Sequence, residues 1–425
     1  MNRRKFFDQS IKATGAVAAV GLTACATEDK PKETASEAGP FDHLKSMVDD
    51  MKPISNEERK QRIEKAQRLM VENKIDALYL ESGSTMVYFT GIKWGRSERM
   101  MAAIIPAKGE LAYVCPAFEE ERLKERILFG NDLRVWQEHE SPYKLVGSIL
   151  KDNGISTGKI GVEESVRFFL FDGLRKELPQ IQFVDAFPVA AGCRMIKSPT
   201  ELALMKRANE ITIEAYRAAI AVMEDGMSQY EFSGNISAAF KKLGVSGGAS
   251  VMFGEWAAYP HGSQTAQSMK EGDIVLMDGG CNLHDYSSDI TRTTIFGKPT
   301  QRQTDIWNKV KESQTAAMAA VKPGATCGSI DDVGRKVIED AGFGPGYKNF
   351  FHRLGHGIGM DGHEWPYLVK GNELKLQPGM CFSDEPGIYI YGEIGVRLED
   401  CFYVTEDGGQ LFTPQSISIE EPFGV

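Results

Sequence analysis

Four carboxylates stand in apolar company in this chain of 425 residues. Asp278 stands at the end of the apolar strand-like run Ile274-Val275-Leu276-Met277, and Asp289 stands inside the β-prone run Ser288-Asp289-Ile290-Thr291-Arg292-Thr293. The segment between them, Asn282 to Ser288, supplies a turn, so the two acids can face each other across a hairpin. Glu385, in Cys381-Phe382-Ser383-Asp384-Glu385-Pro386-Gly387, and Glu399, in Val396-Arg397-Leu398-Glu399-Asp400, repeat the arrangement around a second glycine-bearing turn. Four inward acids cannot all stay ionised unaided, because like charges raise each other's pKa. Two divalent cations would neutralise them and leave a hydroxide between the metals as nucleophile. His356, in Leu354-Gly355-His356-Gly357-Ile358-Gly359, adds one imidazole. Such an oxygen-rich set favours manganese, cobalt, iron or zinc over copper.

The elements that must position these residues form two domains. Ser55-Asn56-Glu57-Glu58 is a capping box, followed by Ile63, Ala66, Leu69 and Met70 at helical spacing. Strand-like runs at 77–80, 102–105 and 111–114 then alternate with helical segments, which predicts an α/β domain over 55–193. Ser198-Pro199-Thr200-Glu201 is a second capping box, with proline at the first helical position. Its helix is expected to stop near Gly226. Helices near 301–321 and 329–341 among apolar strands predict an α+β catalytic domain over 198–425. With 42% hydrophobic and 25% charged residues, the composition excludes extended disorder and coiled coil. A net charge of −10 argues against a nucleic-acid binder.

The N-terminus departs from that acidity. Arg3, Arg4, Lys5 and Lys12 against Asp8 give residues 1–24 a net +3, followed by a short Gly/Ala-rich apolar stretch. This is the layout of an export signal. Arg3-Arg4-Lys5-Phe6-Phe7 resembles a twin-arginine signal, and Leu22-Thr23-Ala24-Cys25 resembles a bacterial lipobox. The expectation is export through the twin-arginine machinery, lipidation at Cys25, and a periplasmic-side protein anchored to a bacterial membrane. Residues 25–54 are expected to form a flexible tether. The seven cysteines include no CxxC pair and are expected to be free thiols apart from Cys25.

The segments DGGCNLHDYSSDITRT, HRLGHGIG, HEWP, DEPGIYI and GVRLED resemble the pita-bread metallopeptidases, the family of methionine aminopeptidase, aminopeptidase P and prolidase. Lys74 to Leu78, Tyr88-Phe89-Thr90-Gly91 and Ile160 to Glu163 resemble the creatinase-type N-terminal domain, so the likeness covers about 55–415. The resemblance implies a dinuclear site in which Asp278 binds one metal, Asp289 and Glu399 bridge both, and His356 and Glu385 complete the second. It implies Glu385 as general base, His261 on the scissile amide, His363 on the developing oxyanion, and a homodimer. Arg397 is expected to brace a ligand carboxylate, and His352 is a candidate pocket histidine. The activity implied is hydrolysis of the Xaa-Pro bond at the N-terminus of peptides, with manganese as the first choice of metal.

Two departures bear on the substrate. Gly254-Glu255-Trp256 replaces the Gly-Pro-Asn pattern of relatives. Tyr367 holds the place after HEWP where some prolidases carry an arginine able to grip a dipeptide's carboxylate, with Lys370 the nearest cation. That favours an aminopeptidase over a strict dipeptidase. Trp94, Trp256 and Trp365 are candidates for a proline-ring pocket or for core packing. The same departures motivate a second reading, a small osmolyte lyase or amide hydrolase with the same metals. A third is a metal-free binding protein or creatinase-like hydrolase.

Overall fold

The computed structural model describes residues 39–424, so the expected signal at 1–24 and Cys25 lie outside the described residues. In the N-terminal domain, strands β1 (Ala77–Glu81), β2 (Ala102–Pro106), β3 (Ala112–Pro116), β4 (Asp132–Trp136), β5 (Gly158–Val162) and β6 (Ile181–Asp185) form one mixed sheet in the order β4-β3-β2-β1-β5-β6. Successive side chains of a strand point to opposite faces. Leu78 and Leu80 therefore pack on Ile63, Ala66 and Met70 of the helix Asn56–Asn73. Ala77 and Tyr79 pack on Val146, Ile149, Leu170 and Leu174 of the helices behind the sheet.

The two expected capping boxes turn out differently. Ser198 and Glu201 close a reciprocal box on the helix Pro199–Ile220. Ser55 accepts from Glu58 N at 3.1 Å, but the Glu58 carboxylate turns away to Arg62 at 3.0 Å and to Ser198 Oγ at 2.7 Å. A charge-assisted bond across the domain junction outcompetes a local one. The helix after Pro199 also stops at Ile220, well short of Gly226, because its end tightens into Val222 N→Ala219 O and Met223 N→Ile220 O bonds.

The tether expected over 25–54 is ordered in its described part. Phe41 and Ile54 are each only 5% exposed and join the core of the catalytic domain. Met47 N bonds Leu243 O, and Arg207 holds Asp50 at 2.8 Å. The charged composition of this stretch conceals single apolar residues that find a distant core, which local periodicity cannot reveal.

The catalytic domain contains β7 (Ser246–Phe253), β8 (Ile274–Leu283), β9 (Tyr286–Ser287), β10 (Ile290–Ile295), β11 (Gly355–Gly357), β12 (Glu364–Leu368), β13 (Cys381–Asp384), β14 (Gly387–Ile390), β15 (Ile394–Arg397), β16 (Asp400–Val404) and β17 (Gly409–Leu411). One sheet runs β10-β8-β7, another β12-β11-β13-β16-β17, and β14 pairs with β15. Val275 and Met277 of β8 face the core built on the helices Pro199–Ile220 and Gln229–Lys242. Ile274 and Leu276 face the core of Gln301–Ala320 and Cys327–Ile338. A bridge between Thr291 and Glu399 joins the two larger sheets. Both domains lie in one unit, Pro40–Val425. The six described cysteines are buried free thiols, and among the described residues no helix is long and apolar enough to cross a membrane.

Candidate metal centre

Asp278 lies in the middle of β8 and not at a strand end as expected, because the strand continues through Gly279 and Gly280 to Leu283, whereas Asp289, Glu385 and Glu399 each lie one residue outside a strand. Asp278 continues the face of Ile274 and Leu276 and pairs with Thr291 in the β8–β10 ladder, so Asp289 falls one step before Ile290 on the same face. The connection turns at His284 and Asp285, both with positive φ, and Lys93 takes the Asp285 carboxylate. Asp384 pairs with Asp400 in the β13–β16 ladder, so Glu385 and Glu399 are the next residues outward on each strand. His356 lies in the middle of β11 between glycines whose Cβ atoms would strike Ser383 O and Glu364 O at 2.0 and 2.4 Å. Only glycine lets the neighbouring strands approach closely enough to hold that imidazole over the acids.

All five residues converge. His356 Nε2 lies 3.2 Å from Glu385 Oε1, 3.7 Å from Asp289 and 4.0 Å from Glu399. Three overlapping sets of ligand atoms, each within 4.8 Å of one another, are Asp278/Asp289/Glu399, His356/Glu385/Glu399 and Asp289/His356/His363. Burial, then the neighbouring acids Asp278 and Glu385, push Asp289 well above the usual carboxylate range. Burial, then Asp289 and the other acids, does the same to Glu399. Burial also raises Glu385 to about 8, against the opposing pull of Arg397. Burial and then His363 lower His356 to about 3, so its imidazole is neutral. Its Nδ1 contacts the Gly357 carbonyl at 3.2 Å. A carbonyl can only accept, so the proton sits on Nδ1 and the Nε2 lone pair faces carboxylate oxygens. A lone pair aimed at acids short of positive charge is the donor set of a cation site, and the residues fit divalent ions.

Around the acids, Arg397 reaches Asp278 Oδ2 at 2.5 Å, Thr291 Oγ1 at 3.1 Å and Tyr389 Oη at 2.9 Å. His352 contacts Tyr389 Oη at 2.8 Å and lies 3.9 Å from Glu385, so it borders the acids without joining the five. His363 stacks on His356, with ring centres 3.7 Å apart. His261 sits exposed on the turn after β7, apart from the ligand sets. Thr291, Ser383 and Arg353 escape a reading of the sequence. Thr291 Oγ1 lies 3.0 Å from Asp278 and 2.7 Å from Glu399, and Ser383 Oγ bonds both His356 N and Glu385. The Arg353 guanidinium carbon lies 4.1 Å from the centre of the Tyr367 ring, and Tyr367 stands opposite His356 in the β11–β12 ladder, while Lys370 is exposed. The signal for Thr291 was its alternation with the acids along β10. Arg353 offered only its place three residues before His356.

Of the three candidate tryptophans, Trp365 lines a cavity of about 160 Å³ together with His363, Tyr367 and Phe187 and with the acids Glu163, Glu164 and Glu364. Trp94 lies beneath Arg122 and Arg126, and Trp256 lies beside Tyr259.

Known proteins carry the same architecture. The family model of metallopeptidase family M24 matches residues 203–406, and that of the creatinase/prolidase N-terminal domain matches 62–196. The chain is 34% identical over 360 residues to an Xaa-Pro dipeptidase of Lactobacillus helveticus, covering 83% of this chain and 96% of that one. It superposes on dipeptidase PepE of Mycobacterium ulcerans with a TM-score of 0.81 at 30% identity, over 88% of this chain and 99% of that one. A prolidase of Thermococcus sibiricus gives a TM-score of 0.77 at 30% identity, over 84% and 97%. With likeness of this extent across both domains, the chain belongs to metallopeptidase family M24 and carries the creatinase/prolidase N-terminal domain.

Proposed function

We propose that this protein is a dinuclear-metal peptidase of the Xaa-Pro dipeptidase type. The observation that carries the reading is the convergence of Asp289, Glu385 and Glu399 on the bare Nε2 of His356, with Asp278 gathered beside Asp289 and Glu399. These five residues would hold two divalent ions, manganese first, with cobalt, zinc or iron as alternatives. When bound, such ions neutralise the acids and supply Lewis-acid polarisation and a more acidic water. The chain's own groups do the rest. Glu385, steadied by Ser383 and by its backbone bond to Leu354 O, receives the proton of the attacking water. His363, stacked on His356, faces the developing oxyanion, and His261 reaches the scissile amide from its exposed turn. Arg397 fixes Asp278, and His352 fixes Tyr389. The dipeptidases and prolidases among the similar proteins support the substrate class, and they favour a dipeptidase over the aminopeptidase that Tyr367 after HEWP suggested.

The test is a panel of Xaa-Pro di- and tripeptides, with small osmolyte amides as controls, offered to protein reconstituted with manganese. Cleavage of Xaa-Pro peptides, abolished by chelation and by Asp289→Ala, is the expected result. Turnover of the osmolytes alone overturns it. Residues 1–24 are read as a twin-arginine signal, with Cys25 the lipid attachment point on the periplasmic side of a bacterial membrane. Fatty-acid labelling that is lost in Cys25→Ala tests this. A homodimer is the assembly expected, and sedimentation of the purified protein measures it.

A further inference from the structure

His363 meets the metal centre from a bend that the N-terminal domain holds. Its ring stacks on His356, yet among the described residues no hydrogen bond fixes that ring, and the residue is exposed. It lies between β11 and β12, so its place depends on the residues either side of it. Two of them, Asp361 and Glu364, end on one guanidinium. Arg194 Nη2 donates to Asp361 Oδ2 at 2.6 Å and to Glu364 Oε2 at 2.5 Å. Asp361 N donates to Glu364 Oε2 at 3.3 Å, and Ser84 Oγ donates to Asp361 Oδ1. Lys197 Nζ takes the other Glu364 oxygen at 2.7 Å. Gly359 crosses this pair so closely that a Cβ there would meet Glu364 Oε1 at 2.5 Å and Lys197 Cε at 2.9 Å. Its carbonyl accepts from Ser287 N at 2.8 Å, two residues before Asp289.

The guanidinium is itself aimed from the N-terminal domain. Arg194 ends the helix Ala190–Arg194, and its side chain is only 12% exposed. Its Nη1 donates to Thr85 Oγ1 at 2.9 Å, and Thr85 Oγ1 donates in turn to Glu163 Oε1 at 2.5 Å. Thr85 lies in the helix Ser84–Thr90, and Glu163 follows β5. A planar fork engaged at both ends has one orientation open to it, and its bonds to two carboxylates are charge-assisted. Between the two anchored acids stand only Gly362 and His363. Glycine places little restriction on the backbone, so without the anchors that bend has many conformations to choose from. With them, the imidazole is delivered to one place.

We propose that Arg194 is a positioning residue for catalysis: by clamping Asp361 and Glu364 it holds His363 against His356, so that the N-terminal domain completes the active site. The inference rests on the Xaa-Pro peptidase reading. The experiment measures kcat and KM for alanyl-proline in manganese-loaded wild type, Arg194→Met, Arg194→Lys, Asp361→Ala and His363→Ala, and in His363→Ala combined with Arg194→Met or Asp361→Ala. His363→Ala should lower kcat by about 10²-fold, as for a lost oxyanion donor. Arg194→Met should lower it by about 10- to 100-fold, since a catalytic group misplaced by about 1 Å costs that much, with KM changed by less than about threefold. Arg194→Lys recovers part of the loss, because lysine keeps the charge without the fork. Asp361→Ala, which cuts one arm and leaves no buried acid unpaired, should lower kcat by about tenfold. Once the imidazole is gone, either clamp change should cost less than about twofold more, because residues acting through one group are not additive. An equal loss with and without His363 overturns the proposal, as does an undiminished kcat in Arg194→Met or Asp361→Ala. If Arg194→Met fails to fold, the Asp361→Ala pair decides by the same criterion. A wild type that binds manganese and cleaves no Xaa-Pro peptide overturns the peptidase reading itself, and this inference with it.

Discussion

Glu364 and Glu385 are both withdrawn from water, one where the two domains meet and the other at the metal centre. Glu364 accepts from Lys197 at 2.7 Å and from Arg194 at 2.5 Å, and Arg194 also holds Asp361 at 2.6 Å. Burial works to raise Glu364, but Lys197 and Arg194 outweigh it and hold the carboxyl below the usual range. Glu385 and its neighbours Asp289 and Glu399 are drawn down mainly by Arg397, whose shortest contact goes to Asp278, with a smaller pull of Arg353 on Glu385. All three are still pushed upward. A fold that supplies the countercharges itself has built a joint. A fold that withholds them has left a place for a ligand.

The comparison can be broken most sharply at Asp289. Asp289→Asn should lower kcat/KM by about 10³-fold or more, equivalent to about 4 kcal/mol of transition-state stabilisation. Bound metal, measured by elemental analysis, should fall with it. The metal-free variant should melt no lower than metal-free wild type, because one repelling charge is gone. A clear fall in its melting temperature would make Asp289 a member of a joint, like Glu364.

At the other cluster the signs reverse. Lys197→Met leaves Glu364 buried and half-compensated, and urea unfolding should show a loss of about 3–5 kcal/mol. Adding Glu364→Gln should recover part of that loss, since the stranded charge is then removed. Strict additivity of the two changes would deny the pair.

Metal removal sharpens the contrast by a smaller amount. Chelation should lower the melting temperature, and restoring manganese at a hundredfold excess over its Kd should return about 2.7 kcal/mol. Lys197→Met should leave that increment intact, because its defect lies in the other cluster.

The smallest effect is in pH. A carboxyl with a depressed folded pKa contributes stability that is complete above its unfolded value, about 4.3, and is lost as pH falls through the folded value. The stability gap between wild type and Glu364→Gln, followed by denaturant titration, should therefore be constant above about pH 5 and narrow towards pH 3. A gap that widens on acidification would contradict the depressed carboxyl.

How much of this was legible along the chain varies with the range of the cause. Asp278 could be placed at the end of a buried face because the period of two and the run of apolar residues are local facts. Glu385 and Glu399 followed from the same logic, and Ser198 announced its helix by a capping box completed within four residues. Phe41 could not be read, because the core that buries it is built from helices near 204–243.

The sequence by itself determined the chemistry on offer: four acids and one imidazole, each at the end or centre of a short strand, with a resemblance that orders them. Tertiary structure decided which of the buried charges find partners. Arg194, Lys197 and Glu364 neutralise one another across 167 or more residues of chain. Asp289, Glu385 and Glu399, each flanking a strand, gather round His356 with Asp278 of β8 beside them, and they have too little positive charge of their own. Residue type and local period are written in the chain, but neutralisation is a sum over neighbours in space, and only the folded protein assigns those neighbours.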